Sequence, residues 1–154
     1  MLVTRLDRRS YGDLYTFLTT NRGHDNGLEY IDQRRFFLED LQAYALGART
    51  ETGELVQVIF GDFLHPLFAT TRGIYGAYGD HTRELLDLLC ATCASRTPPV
   101  ERHELWIGEK NADAFATILA TSRLQKFMTK LERKTIVKRE PKTVFSLELT
   151  YPTA

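Results

Sequence analysis

The sequence predicts an α+β domain: a mixed β-sheet with helices on both of its faces. Three observations lead there. Hydrophobic periodicity switches several times between two residues and 3.6 residues along the chain. Two pairs of apolar runs are joined by turns of hairpin length. Residues 1–154 contain no repeat, low-complexity tract or linker, so they form one domain. Strands that alternate with helices and are mixed with hairpins require a mixed sheet.

The elements follow in order. Leu2 to Leu6 alternates apolar and polar residues, as a half-buried strand does. Ser10 is a good N-cap, with Asp13 near the positive end of the helix it opens, and Tyr11, Leu14, Tyr15 and Leu18 fall at helical spacing. The polar run from Asn21 to Gly27 ends that helix. Asp32 caps a second helix whose apolar stripe is Phe36, Phe37, Leu38 and Leu41. Tyr44, Leu46 and Ala48 then alternate into a hairpin with Gly53 at its tight position, and Leu55 to Phe63 returns. His65-Pro66 breaks the run, because proline has no donor for a central ladder. Leu67 to Tyr75 is the next strand. Gly73, Gly76 and Gly79 then lead into an amphipathic helix with Asp80 as its cap and Leu85, Leu86, Leu88, Leu89 and Cys93 inward. Thr97-Pro98-Pro99 stops it. Glu104 to Ile107 is a short strand holding the only tryptophan, Trp106, and Asn111 opens a helix with Ala114, Phe115, Ile118 and Leu119 on its face. Phe127 to Val137 and Val144 to Tyr151 form a closing hairpin that turns at Glu140-Pro141-Lys142. The resulting order is β-α-α-β-β-β-α-β-α-β-β.

Composition narrows the function classes. Twenty basic and twenty acidic residues cancel, so there is no global attraction to nucleic acid or to an anionic membrane. No apolar run reaches the roughly 20 residues of a membrane span, and the N-terminus lacks a signal-peptide core. The chain therefore reads as soluble and cytoplasmic. The C-terminal part is basic from Arg123 onward, which is read as a solvated hairpin face; nucleic acid is not an expected partner. Cys90 and Cys93 form a C-x-x-C late in a helix, where no dipole lowers a thiol pKa, and no second ligand pair exists for zinc. They read as small core residues, and no metal is expected.

The element order, over nearly the whole chain, resembles the GNAT-type N-acetyltransferase fold. The stretch ALGARTETGELVQVIFGDFL resembles that family's second and third strands. WIGEKNADAFATILATSRLQKF resembles its fifth strand and the helix that follows, and KLERKTIVKREPKTVFSLELTY resembles its final hairpin. The resemblance implies an acetyl-CoA-dependent transfer to an unidentified small-molecule or peptide amine. It also implies that the cofactor wedges between the fourth and fifth strands, with its pyrophosphate on the loop that follows the fourth. Two departures stand out. The family's loop has Arg or Gln, two residues, Gly, one residue, then Gly or Ala; here Arg72 is followed three positions later by Tyr75. The loop is either narrowed by Tyr75 or slipped by one residue onto Gly76. Many members carry a proton-donating tyrosine two turns into the Asn-led helix, where this chain has Ile118.

The expected cofactor contacts are therefore Phe68, Ala69 and Thr70, whose N–H groups would polarise the acyl carbonyl, then Arg72, Gly73, Gly76, Ala77 and Gly79, with Asn111 at the next helix start. Glycines there either expose amides to a diphosphate or simply allow positive φ in a connection. Acetyl transfer needs a base for the amine and an acid for the thiolate. Asp62, His65, Glu29 and His81 are the titratable groups nearby. His65 is taken as the base, since it titrates in the useful range, and Tyr78, or else Tyr75, as a displaced acid. The alternative is a catalytically silent module of the same fold. It would act as a binding or structural subunit of a larger assembly, such as a virion or multiprotein complex, or pair with its own copies.

Overall fold

The computed structural model describes residues 1–20, 37–39, 41–137 and 141–152. Seven strands form one sheet in the order β1-β2-β3-β4-β5-β7-β6. They are β1 (Leu2–Arg5), β2 (Ala43–Arg49), β3 (Leu55–His65), β4 (Phe68–Gly76), β5 (Arg102–Gly108), β6 (Met128–Ile136) and β7 (Lys142–Leu149). Every neighbouring pair is antiparallel except β4 and β5, which run parallel. The helices are α1 (Tyr11–Thr20), α2 (Asp80–Ala94), α3 (Ala112–Thr121) and the single turn α4 (Leu124–Phe127).

Strand alternation sorts the core into two layers. Ala43, Ala45, Val58 and Phe60 pack with Leu14, Phe17 and Leu18 of α1 on one face. Tyr44, Leu46, Ala48, Ile59, Leu105 and Phe145 pack with α2 and α3 on the other, through Leu85, Leu86, Leu89, Phe115 and Leu119. Because β2 lies between these layers, it is buried along almost its whole length. Its sequence alternation reflects the two cores it feeds, not a wet face and a dry one.

Most of the predicted elements appear where the sequence places them. Gly53, at φ +89°, makes the tight β2–β3 turn, and β3 ends at His65, before Pro66. Five expectations shift, the first at Ser10, which ends a 3₁₀ turn (Arg8–Ser10) capped by Asp7. Leu41, expected on a buried helical stripe, is 78% exposed just before β2. The Asp32 cap and Phe36 lie outside the described residues, and Phe37–Glu39 is one 3₁₀ turn. The cap of α2 is Gly79, not Asp80. The fourth strand extends through Gly76, so Gly73 and Gly76 belong to β4 and not to a loop.

Candidate cofactor cleft between strands β4 and β5

The sheet opens between its two parallel strands. β4 and β5 pair from Phe68↔Arg102 to Thr71↔Leu105. Beyond that point β5 continues along β7 to Gly108, and β4 continues along β3 to Gly76. A bulge in β4 accompanies the parting: Gly61 faces Thr71 and Phe60 faces Gly73, which leaves Arg72 without an opposite residue. An extra residue on one strand bends and twists it away from its neighbour. Gly61 makes room for the bend, since a side chain there would strike the Thr70 carbonyl and the Tyr44 hydroxyl.

A buried polar chain fixes the point where the strands part. The Tyr44 hydroxyl lies 2.9 Å from the Thr70 carbonyl and 2.6 Å from Thr71 Oγ1. Thr71 Oγ1 is 2.8 Å from His103 Nε2, and Cys93 Sγ is 3.7 Å from His103 Nδ1. One proton arrangement satisfies every member. Cys93 S–H donates to Nδ1, Nε2–H to Thr71, Thr71 to Tyr44, and Tyr44 to the Thr70 carbonyl. Burial pushes His103 down to about 3 and Cys93 up to about 12, so both are neutral as that arrangement requires.

At the far end of β4 the chain turns into α2. Thr82 organises the turn: the Gly79 N–H donates to Thr82 Oγ1 at 3.0 Å, and the Thr82 hydroxyl donates to Gln57 Oε1 at 2.6 Å. His81 Nε2–H donates to the Ala77 carbonyl at 2.9 Å. The backbone N–H groups of Ala77, Tyr78, Asp80 and His81 meet no acceptor among the described residues. Bare amides at a helix start, with the helix dipole behind them, favour an anion. A cavity of about 480 Å³ opens beside Gly76 and Ala77, between α1 and the β2–β3 turn.

No family model and no curated protein matches the sequence. Solved structures do match it over nearly their full length. A probable acetyltransferase from Staphylococcus epidermidis superposes with a TM-score of 0.68 at 14% identity, over 97% of this chain and 99% of that one. An aminoglycoside 6'-acetyltransferase of type Ii gives 0.68 at 13% identity, over 99% and 100%. A spermidine N-acetyltransferase variant from Vibrio cholerae gives 0.62 at 12% identity, over 96% and 95%. This chain has the GNAT-type N-acetyltransferase fold. At these identities the likeness carries the architecture, and the residues must be judged one by one.

Within the GNAT fold, the predicted contacts divide into three groups. Phe68, Ala69 and Thr70 are laddered to β3 on one side and β5 on the other, so their backbone cannot receive an acyl carbonyl as the sequence reading expected. The edge without a second strand starts at Arg72 and runs to Gly76. Arg72 itself reaches across to β3, with Nε 3.4 Å from Asp62 Oδ2. Gly73 lies under the Tyr75 ring, which stacks on Phe60 at 5.2 Å on the α1 face. Tyr75 therefore turns into the α1-side core. Gly76 has φ +104°, and a side chain there would strike the Val56 carbonyl. Ala77 offers its amide to the turn, whereas the Gly79 amide is taken internally by Thr82. Asn111 is an exposed N-cap of α3 that makes no side-chain cap bond.

The titratable candidates separate in space. His65 sits opposite Phe68 at the start of β4, where its Nδ1 accepts the Leu67 N–H at 3.2 Å. Four residues of strand, about 13 Å, separate that level from Arg72. Tyr78 stands two residues past β4, half-buried against the α2-side core, and burial raises its phenol pKa. Ile118 is packed against the same core. Glu29 lies outside the described residues. Cys90 and Cys93 are free and buried, and Cys93 touches His103. Sequence reasoning missed Tyr44, Gln57 and His103. The available signal was a polar residue placed mid-run in an apolar strand, as with Gln57 inside LVQVIF.

Proposed function

We propose that this protein transfers an acetyl group from acetyl-CoA to an amine. The observation that carries the reading is the parting of β4 and β5 after Thr71↔Leu105, beside four bare amides at the start of α2. Acetyl-CoA supplies the activated thioester. The Arg72–Gly76 edge of β4 would hold its extended arm as a strand edge holds a peptide. The amides of Ala77, Tyr78, Asp80 and His81 would receive its diphosphate. The β4 edge from Arg72 onward, not Phe68 to Thr70, would orient the acyl carbonyl, and catalysis would rest on orientation and polarisation. Tyr78, six residues beyond Arg72 and among the amides assigned to the diphosphate, stands at the other end of that arm from the sulfur, so this reading does not use it as the proton donor. His65, the last residue of β3, lies level with Phe68 and away from the Arg72–Gly76 edge, so this reading does not use it as the base. A calorimetric titration with acetyl-CoA tests the reading: saturable heat and a thermal shift are expected, and neither appearing at millimolar ligand removes it.

Two observations support a second reading, in which the fold binds but does not catalyse. Ile118 occupies the place of the family's proton-donating tyrosine, and the Gly79 amide is already bonded. Under that reading the protein is a binding or structural subunit of a larger assembly. Heat on acetyl-CoA addition with no acetylation across a panel of primary amines would favour it.

A further inference from the structure

One row of the sheet crosses it just before the strands part. Register places Asp62, Thr70, Glu104, Ser146 and Glu132 side by side on β3, β4, β5, β7 and β6. Cross-strand partners share a face, and the rows on either side of this one point to α2 and α3 through Ala69, Leu105 and Phe145, and through His103 against Cys93. The row therefore points to the opposite face. There Glu104, Trp106 and Ser146 are half-buried, and Arg102, Glu148 and Lys134 are exposed.

The carboxylates in this row differ in how they are neutralised. Asp62 faces Arg72 at 3.4 Å, and Glu132 is held by Lys130 at 3.1 Å. Glu104 has no cation within ion-pair distance among the described residues. Its hydrogen-bond partner among the described residues is the indole Nε1–H of Trp106, which donates to Oε1 at 3.4 Å. Beside it, Thr70 is 2% exposed, and its hydroxyl finds no partner among the described residues. A buried hydroxyl left unsatisfied is costly and calls for an explanation. A lone carboxylate flanked by an indole and a polar oxygen is the chemistry that receives an ammonium.

We infer that Glu104, with Trp106 and Thr70, is the seat of the acceptor's ammonium group. The inference rests on the acetyl-transfer reading and adds the acceptor side to it. Thr70↔Glu104 is the pair immediately before Thr71↔Leu105, so an amine seated there meets whatever enters the gap at its base. In balance, the ammonium gives one proton to Glu104 and a second to the departing sulfur. Its nitrogen gains the acetyl carbon as the carbon–sulfur bond breaks, and Glu104 returns its proton to water.

Trp106 is the only tryptophan, so its emission reports on this seat directly. The test titrates 1,4-diaminobutane, and 1-butanol as a neutral control, into the wild type, Glu104→Gln and Glu104→Asp. In parallel, acetyl-CoA is titrated calorimetrically into each. The expected result is a saturable change of Trp106 emission with the diamine and none with the alcohol. The diamine affinity should fall at least tenfold in Glu104→Gln and recover in part in Glu104→Asp, with acetyl-CoA affinity unchanged in both. Diamine binding that is as tight in Glu104→Gln as in the wild type overturns the inference, as does acetylation of the diamine by wild type with no emission change. Absence of acetyl-CoA heat in the wild type defeats the transfer reading instead, and the emission titration still decides Glu104.

Discussion

At the scale of single residues, the parting of β4 and β5 depends on a few positions where substitution is costly. Gly76 combines φ +104° with a Val56 carbonyl where its side chain would lie. Gly76→Ala should lower unfolding free energy by about 1–3 kcal/mol, read as a shift of the urea midpoint. His103 gives a pH signature. Its pKa in the fold, about 3, lies below its ordinary 6.5. Between those values the unfolded chain binds the extra proton, so stability rises with pH across that window and is lost as pH falls through it, by up to about 1.4 kcal/mol per unit. Urea unfolding at pH 7 and at pH 5 should show the loss, and His103→Gln should flatten the difference. An identical pH dependence in the variant would mean that carboxylates alone set the slope. The Gly76 position was legible as a glycine allowing positive φ, whereas His103 could not be recognised from the sequence. A histidine in a strand looks the same whether exposed or buried, and its partners Tyr44, Thr71 and Cys93 are far from it in the chain except for Cys93.

At the scale of elements, what local sequence shows and what it hides have separate physical causes. Periodicity and turn residues are local, so the β2–β3 turn at Gly53, the stop at Pro66 and the Asn111 start of α3 could all be read directly. The glycine run before α2 misled because glycine marks both loops and bulged strands. Gly73 is in β4 to seat the Tyr75 ring, and Gly76 to let β4 bend beside Val56. The anion-ready amides come instead from non-glycine residues, which no glycine pattern could have identified. The start of α2 makes a prediction of its own. Thr82 joins the Gly79 amide to Gln57, so Thr82→Val strands a half-buried donor and a buried acceptor. That variant should lose about 1–3 kcal/mol of stability, whereas Thr82→Ser, which keeps the hydroxyl, should lose less than half as much by the same denaturation measurement.

At the scale of the whole molecule, one sheet serves two cores and one opening. The order β1-β2-β3-β4-β5-β7-β6 places the single parallel pair near its middle, flanked by α1 on one face and by α2 and α3 on the other. A gap within a well-packed sheet costs ladder bonds, which a ligand lying along β4 would restore. Binding should therefore stabilise the whole fold. Acetyl-CoA at a hundred times its dissociation constant should add about 2.7 kcal/mol to unfolding free energy, seen as a concentration-dependent rise in melting temperature. No helix among the described residues is long and apolar enough to cross a membrane. The basic hairpin that the sequence marked as solvated is exposed along β6, with Arg133 tied to Asp113 at 2.8 Å.

Amide hydrogen exchange with and without acetyl-CoA tests the cleft most directly. The amides of Ala77, Tyr78, Asp80 and His81, and those from Arg72 to Gly76 that face away from β3, should exchange readily in the free protein and slow at least tenfold on saturation, while Phe68 to Thr71, already paired on both sides, should change little. Unchanged exchange over 72 to 81 at saturating acetyl-CoA, or protection confined to some other part of the sheet, would contradict a cofactor seated between β4 and β5.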